Sequence, residues 1–143
     1  MQHKNNHLSG NKPQGMYLCS DVACWGNPGS YEYRVMDWKR EIVFNSPRFE
    51  YGTNNIGEFL GIVAALEYRK MKGFTCPVYS DSLIAISWIK AGKCRTKSEP
   101  DSQSKTAIYF AELFLSKNHV TPFVMFWNKR KFGEEVPADY NRK

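Results

Sequence analysis

Four acidic residues stand where their carboxylates could do chemistry. Asp21 interrupts the apolar run 16–24, Glu58 follows Thr-Asn-Asn near the start of a predicted helix, Asp81 follows a short apolar run, and Asp139 lies near the C-terminus. An unpaired buried charge is costly, so the run around Asp21 requires a compensating partner. Carboxylates that share a site repel one another, and a hard divalent cation such as Mg²⁺ relieves that repulsion. Two such ions roughly 4 Å apart can activate water and stabilise the leaving oxygen of a phosphodiester.

Each carboxylate also has a simpler explanation. Asp21 could be an exposed or ion-paired residue of an edge strand. Glu58 could complete a capping box with Asn55, Asp81 could be the N-cap of the next helix, and Asp139 could be a solvated terminal residue. These alternatives need no contact among the four groups, whereas a metal site requires that they converge.

The order of the predicted elements favours convergence. Strands are predicted over residues 16–24, 30–36, 40–49, 77–80 and 120–127, and helices over 55–72, 82–91 and 104–117, with a polar, basic connector over 92–103. Three consecutive strands imply an antiparallel meander, and the alternation that follows implies two further strands in a mixed sheet with helices on both faces. We therefore predict an α/β fold with a five-stranded sheet. Strand ends and helix starts meet at one edge of such a sheet, which could bring Asp81 and Glu58 beside Asp21.

Composition limits the class of protein. The chain has 143 residues, 42% of them hydrophobic, which suits one domain over residues 16–143 after a polar tail, residues 1–15, that we expect to be disordered. It contains neither a run of about 18 apolar residues nor the apolar core of a secretion signal, so we expect a cytoplasmic protein without membrane contact. Its four cysteines form no CxxC pair and are expected to be reduced thiols. The net charge of +6 favours a polyanionic partner.

Four segments, in order along the chain, resemble motifs of bacterial-type ribonuclease H. Residues 21–29 (DVACWGNPG) resemble its D-x-x-C-x-G-N-P-G opening, residues 53–58 (TNNIGE) its T-N-N-x-x-E, and residues 80–82 (SDS) its T-D-S. Residues 133–139 (GEEVPAD) are similar to the G-E-I-P-A-D ending of one bacterial branch. Each match alone is weak, but four in order make a strong signal over residues 16–143.

The resemblance implies a ribonuclease H-like fold and hydrolysis of the RNA strand of an RNA–DNA hybrid, giving 5′-phosphate and 3′-hydroxyl ends. It implies two Mg²⁺ ions, with Mn²⁺ as a substitute, in a protein that we expect to be a monomer. The implied catalytic and metal-binding residues are Asp21, Glu58, Asp81 and Asp139. The implied substrate-binding residues are Cys24, Asn27, Thr53, Asn54 and Asn55, with Thr53 on a DNA-strand phosphate and the three asparagines at the minor groove.

One departure from the family leaves alternatives open. The family often places a mobile histidine before its final Asp, but residues 126–136 contain none. Four nearby residues are candidate auxiliary groups in its place: Lys129, Lys131, Glu134 and Glu135. A non-catalytic nucleic-acid-binding module of the same fold, or a related DNA nuclease such as a resolvase, would also account for parts of the pattern.

Overall fold

The computed structural model describes residues 12–140. The predictions for residues 1–11 of the tail and for residues 141–143 lie outside this range. The strands are β1 (Leu18–Gly26), β2 (Gly29–Asp37), β3 (Ile42–Asn45), β4 (Phe49–Gly52), β5 (Val78–Ser80) and β6 (Val124–Phe126). The helices are α1 (Asn54–Lys72), α2 (Leu83–Ala91), α3 (Ser102–Lys117) and the single turn α4 (Lys129–Phe132), with a 3-10 turn at Thr121–Phe123.

The predicted mixed sheet is confirmed. Its strand order is β3-β2-β1-β5-β6, and β4 also pairs with β2. The first strands form an antiparallel meander, whereas β5 runs parallel to both β1 and β6. Strand β1, which carries Asp21, therefore lies in the middle of the sheet, between β2 and β5.

The sheet has six strands instead of five because the strand predicted over residues 40–49 is broken. Strand β3 ends before Ser46, whose hydroxyl accepts from the Tyr33 amide at 3.0 Å and donates to the Pro47 carbonyl at 2.7 Å. Proline has no amide hydrogen to continue the ladder, so the chain turns before pairing again with β2 as β4. Pro122 likewise lies in the 3-10 turn Thr121–Phe123, and the strand predicted over 120–127 is therefore shorter and begins at Val124.

Helices cover both faces of the sheet, as predicted. On one face α1, α2 and α3 pack over Leu18 and Val22. On the other face, Cys19 packs with Trp127, with Phe132 of α4 and with the segment that follows α4. Cys24 packs on the first face, so the two β1 thiols lie on opposite faces, and no disulfide joins any of the four cysteines. No helix within residues 12–140 has the length and apolar character of a membrane span.

Two glycines allow α1 to lie close against the sheet. A Cβ at Gly57 would lie 2.3 Å from Val22 Cγ2, whereas a Cβ at Gly61 would lie 3.3 Å from Tyr33 Cβ. The first distance is a severe overlap, and the second is only a tight contact. Gly57 therefore allows α1 to lie close to β1. Glu58, the next residue of the helix, is held near β1 by the same close approach.

We expect Gly57→Ala to lower the free energy of unfolding by about 1–3 kcal/mol, because the added methyl group overpacks the junction of α1 and β1. Gly61→Ala is the matched control and should change stability much less, because its helix-propensity gain of roughly 0.5–1 kcal/mol offsets a milder contact. Urea unfolding of both variants measures the difference. Equal stability of Gly57→Ala and the wild-type protein would contradict this account of the packing.

Candidate metal centre

Three of the four predicted carboxylates meet in space. Asp21, Glu58 and Asp81 each place an oxygen within 4.8 Å of the other two. Asp81 directly follows β5, which runs parallel to β1, and Glu58 lies in the part of α1 that packs against β1. Within residues 12–140 this is the only group of three or more His, Cys, Asp or Glu side chains close enough to share an ion. The convergence inferred from the order of the elements is therefore present.

The structure argues against the simpler explanation for Asp21. Its side chain is only 7% exposed, and its strand is central in the sheet, not at an edge. None of the ion pairs formed within residues 12–140 includes it. A buried carboxylate without an ion pair is expensive to keep ionised, so its compensation has to come from elsewhere.

Helix capping does not explain the other two carboxylates. The N-cap of α1 is Thr53, whose hydroxyl accepts from an α1 backbone amide at 3.3 Å, so the alternative of a capping box between Asn55 and Glu58 is wrong. Glu58 consequently lies in the second turn of α1, not in the first. Ser82, not Asp81, is the N-cap of α2. Both carboxylates are therefore directed to the shared site.

Burial and neighbouring negative charges raise the pKa of all three carboxyl groups. Desolvation, followed by the charges of Asp81 and Asp139, raises the pKa of Asp21 to about 7. Burial, with repulsion from Asp21 and Asp81, raises the pKa of Glu58 well above its ordinary value. Burial also raises the pKa of Asp81, and the charge of Glu135 adds to that effect. Burial and repulsion therefore oppose ionisation of all three groups, and a bound cation would favour it.

The donor set fits a hard divalent cation. Glu58 is 5% exposed, and its Oε1 is buried without a hydrogen-bond partner. A buried carboxylate oxygen left without a donor is costly, and a cation supplies the missing partner. Mg²⁺ and Mn²⁺ both prefer carboxylate oxygens. The three side chains thus have the chemistry, burial and spacing to hold such an ion.

Asp139 lies next to this group without joining it. Its backbone amide donates to the Val136 carbonyl at 2.9 Å, and the following amide, of Tyr140, donates to Asp21 Oδ2 at 3.3 Å. The charge of Asp139 contributes to the raised pKa of Asp21 and of Asp81. Its carboxylate is outside the set of oxygens within 4.8 Å of one another. Its role as a fourth ligand remains a prediction.

The four candidate auxiliary residues separate into two environments. Lys129 Nζ lies 3.4 Å from Glu135 Oε2, and both charges influence the pKa of Asp81, the glutamate raising it and the lysine lowering it. Glu134 instead pairs with Arg40 at 3.2 Å and with Lys12 at 3.5 Å. Lys131 is exposed, and its backbone amide donates to Asn128 Oδ1. Lys129 and Glu135 are thus the better-placed auxiliary pair.

The predicted substrate-binding residues link the β1–β2 turn to the start of α1. Asn27 Oδ1 accepts from the Asn54 amide at 2.9 Å. Asn54 Oδ1 in turn lies 3.6 Å from Cys24 Sγ, which donates to it. Together with Thr53 at the N-cap, these contacts fix the position of the turn relative to the helix.

An open groove adjoins the carboxylates. One part is lined by Glu58 and Asp81 together with Ile84 of α2. Ile84 also lines the next part, where Asn27, Thr53 and Asn55 are accompanied by Trp88, Arg95, Thr96, Lys97 and Ser98. The sequence alone did not place Trp88, Arg95 and Lys97 beside the asparagines. The available signals were an amphipathic aromatic residue in α2 and the basic composition of the connector.

Comparison with known proteins identifies the fold. No protein-family model matches the chain. The N-terminal RNase H domain of Rv2228c from Mycobacterium tuberculosis aligns with a TM-score of 0.53 and 20% identity, over 82% of this chain and 85% of that one. RNase H1 from the archaeon Halobacterium salinarum aligns with a TM-score of 0.49 and 18% identity, over 83% of this chain and 89% of that one. The chain has the ribonuclease H fold, as the first of these likenesses and the sheet topology show.

Proposed function

We propose that this protein is a divalent-metal-dependent endoribonuclease that hydrolyses the RNA strand of RNA–DNA hybrids. The observation that carries the proposal is the convergence of Asp21, Glu58 and Asp81 on a ribonuclease H fold, with a buried Glu58 oxygen left without a partner. A carboxylate cluster that needs cations suits phosphodiester hydrolysis, because the same cations can act on the scissile phosphate.

In this proposal Asp21 and Asp81 would be the central ligands of two Mg²⁺ ions, and Glu58 would bind one ion and Asp139 the other. When bound, the ions supply a water of lowered pKa and stabilise the charge that develops on the leaving 3′-oxygen, so the products carry 5′-phosphate and 3′-hydroxyl ends. The protein contributes a rigid, largely desolvated frame for the carboxylates. Lys129 and Glu135 place one positive and one negative charge beside Asp81.

In this proposal, selectivity for a hybrid comes from separate contacts to its two strands. The amides of Asn27, Asn54 and Asn55 can donate to and accept from 2′-hydroxyls and base edges on the RNA strand. We expect Thr53 to contact a phosphate of the DNA strand, and Arg95 and Lys97 line the same groove. The positive charges of Arg95 and Lys97 add affinity for the nucleic-acid backbone that does not depend on sequence and weakens as the salt concentration rises.

A cleavage assay tests the function directly. We expect a labelled RNA–DNA hybrid to be cut in Mg²⁺, with Mn²⁺ as a substitute, and to remain intact in excess chelator. The cleavage products should carry 5′-phosphate and 3′-hydroxyl ends, which a ligation assay identifies. Duplex DNA, duplex RNA and branched DNA of the same sequence are the controls and should remain uncut.

The controls also distinguish the alternatives. Cutting of branched or duplex DNA in preference to the hybrid would contradict the hybrid proposal and favour a related DNA nuclease. Binding of the hybrid without turnover in either metal would contradict catalysis and favour a non-catalytic binding module of this fold.

A further inference from the structure

A single arginine of the sheet holds the segment that carries Asp139. Arg34, on β2, donates from Nε to the Ala138 carbonyl and from Nη2 to the Asp139 carbonyl, each at 2.8 Å. Its guanidinium also lies over the ring of Tyr140, 4.3 Å from the centroid. Three successive residues of the C-terminal segment therefore contact one side chain.

Besides Arg34, the segment is held by the burial of Val136 and Ala138 and by a hydrogen bond from Trp127 Nε1 to the Glu134 carbonyl at 2.9 Å, all of them before Asp139 in the chain. Residues 133–140 form neither helix nor strand, so no regular backbone ladder sets the position of Asp139. Tyr140 adds two contacts, from its amide to Asp21 Oδ2 at 3.3 Å and from its hydroxyl to Asn45 Oδ1 at 3.2 Å. The guanidinium of Arg34 thus stands between the sheet and the peptide units on both sides of the Asp139 Cα.

Arg34 does this without neutralising the adjacent carboxylate. It is the cross-strand partner of Asp21 in the antiparallel pairing of β1 and β2, a position where opposite charges usually pair. Yet no ion pair formed within residues 12–140 includes Arg34. Its donors are directed to backbone carbonyls, which leaves the charge of Asp21 available for a cation.

We propose that Arg34 is a positioning residue for the metal centre: it holds the C-terminal segment so that Asp139 can join Asp21, Glu58 and Asp81 around the ions. This inference rests on the proposed metal-dependent function. The planar fork of a guanidinium can bridge two carbonyls and stack on an aromatic ring at once, whereas the ammonium of a lysine cannot reproduce that geometry. The role is therefore specific to arginine.

Metal binding by the free protein tests the role without relying on turnover. We expect Arg34→Gln and Arg34→Lys each to weaken Mg²⁺ or Mn²⁺ binding, measured by calorimetry, by roughly 10- to 100-fold, the range found when residues that orient metal ligands are replaced. Arg48→Gln is the matched control, because the Arg48 guanidinium stacks on Trp25 at 3.4 Å and not on the C-terminal segment. It should bind metal as the wild-type protein does.

A double-mutant comparison separates positioning from a general structural effect. If Arg34 acts through Asp139, adding Arg34→Gln to Asp139→Asn should weaken metal binding no further. Hydrogen exchange should show faster exchange of the Tyr140 amide in Arg34→Gln, while thermal unfolding without metal verifies that the domain remains folded. Wild-type metal affinity in Arg34→Gln, or independent losses in the double variant, would overturn the inference.

The outcomes also separate this inference from the proposed function. A wild-type protein that binds metal but leaves the hybrid uncut would contradict the proposed function. The metal affinities of the Arg34 and Arg48 variants would still decide the role of Arg34. A wild-type protein that cuts the hybrid, with unchanged metal binding in Arg34→Gln, would contradict the positioning role alone.

Discussion

Replacing Asp81 by Asn is expected to abolish hybrid cleavage, lowering kcat by on the order of a thousand-fold or more, as removal of one member of a catalytic unit does. The substitution keeps the size of the side chain but removes one of the three carboxylates of the cluster. Because Asp81 also repels Asp21 and Glu58, its loss should relax the raised pKa of both neighbours. The variant should therefore be folded and inactive, and single-turnover cleavage in saturating Mg²⁺ measures the effect.

Asp37→Asn is the matched control for this experiment. Asp37 is a buried aspartate outside the cluster, 7% exposed, and its Oδ1 accepts from the amides of Lys39 and Glu41 in the turn after β2. The control should lose about 1–2 kcal/mol of stability through a weakened turn and keep its cleavage rate. Undiminished cutting by Asp81→Asn would refute the assignment of the carboxylates. Equal loss of activity in both variants would point to a folding defect instead.

The central part of the site could be predicted because its chemistry conflicts with its surroundings. Asp21 is a charged residue in an apolar strand, and Asp81 follows a strand that the element order places in the same sheet. Both signals are local in sequence. The parallel pairing of β1 with β5 then brings Asp21 and Asp81 close together. The α/β class and the C-terminal end of the long helix α1 were predictable for the same reason, since apolar periodicity and Gly73 at its C-cap are local features.

Boundaries that depend on one residue's backbone conformation were less predictable. Thr53 and Asn55 are both acceptable N-caps by type, and the extended backbone of Thr53, with φ −118° and ψ 165°, decides between them. Moving the N-cap from Asn55 to Thr53 places Glu58 in the second turn of α1 instead of the first, and Glu58 then has no capping role. Pro47 similarly divides a run that continuous β propensity predicts as one strand.

Contacts between distant parts of the chain could not be predicted at all. Arg34 lies more than a hundred positions before the carbonyls that it binds, and nothing in its own neighbourhood distinguishes it from an exposed strand arginine. The groove that joins Asn27 to Arg95 and Lys97 likewise exists only because the connector after α2 folds back beside the start of α1. Such features require the assembled sheet and helices.

The cluster should also make stability depend on pH in the direction opposite to that of an ordinary ion-paired carboxylate. The pKa of Asp21 is about 7 in the folded protein, against roughly 3.9 for an unperturbed aspartate, so the folded state binds the proton more tightly than the unfolded state. Stability is therefore highest below the unfolded-state pKa and falls as the pH rises toward 7. At about 1.4 kcal/mol per pKa unit, the loss from this buried group is on the order of 4 kcal/mol at most.

Urea unfolding at pH 5 and pH 8, with chelator or with Mg²⁺, measures this effect. In chelator we expect the protein to be less stable at pH 8 by a few kcal/mol, because Asp21 and Glu58 must ionise beside Asp81. Mg²⁺ should restore stability at pH 8 and do little at pH 5, where protons occupy the same oxygens. Asp21→Asn should flatten the pH dependence and reduce the Mg²⁺ effect, whereas Asp37→Asn should retain both. Rising stability from pH 5 to pH 8 in chelator would show that the carboxylates do not repel one another as the structure requires.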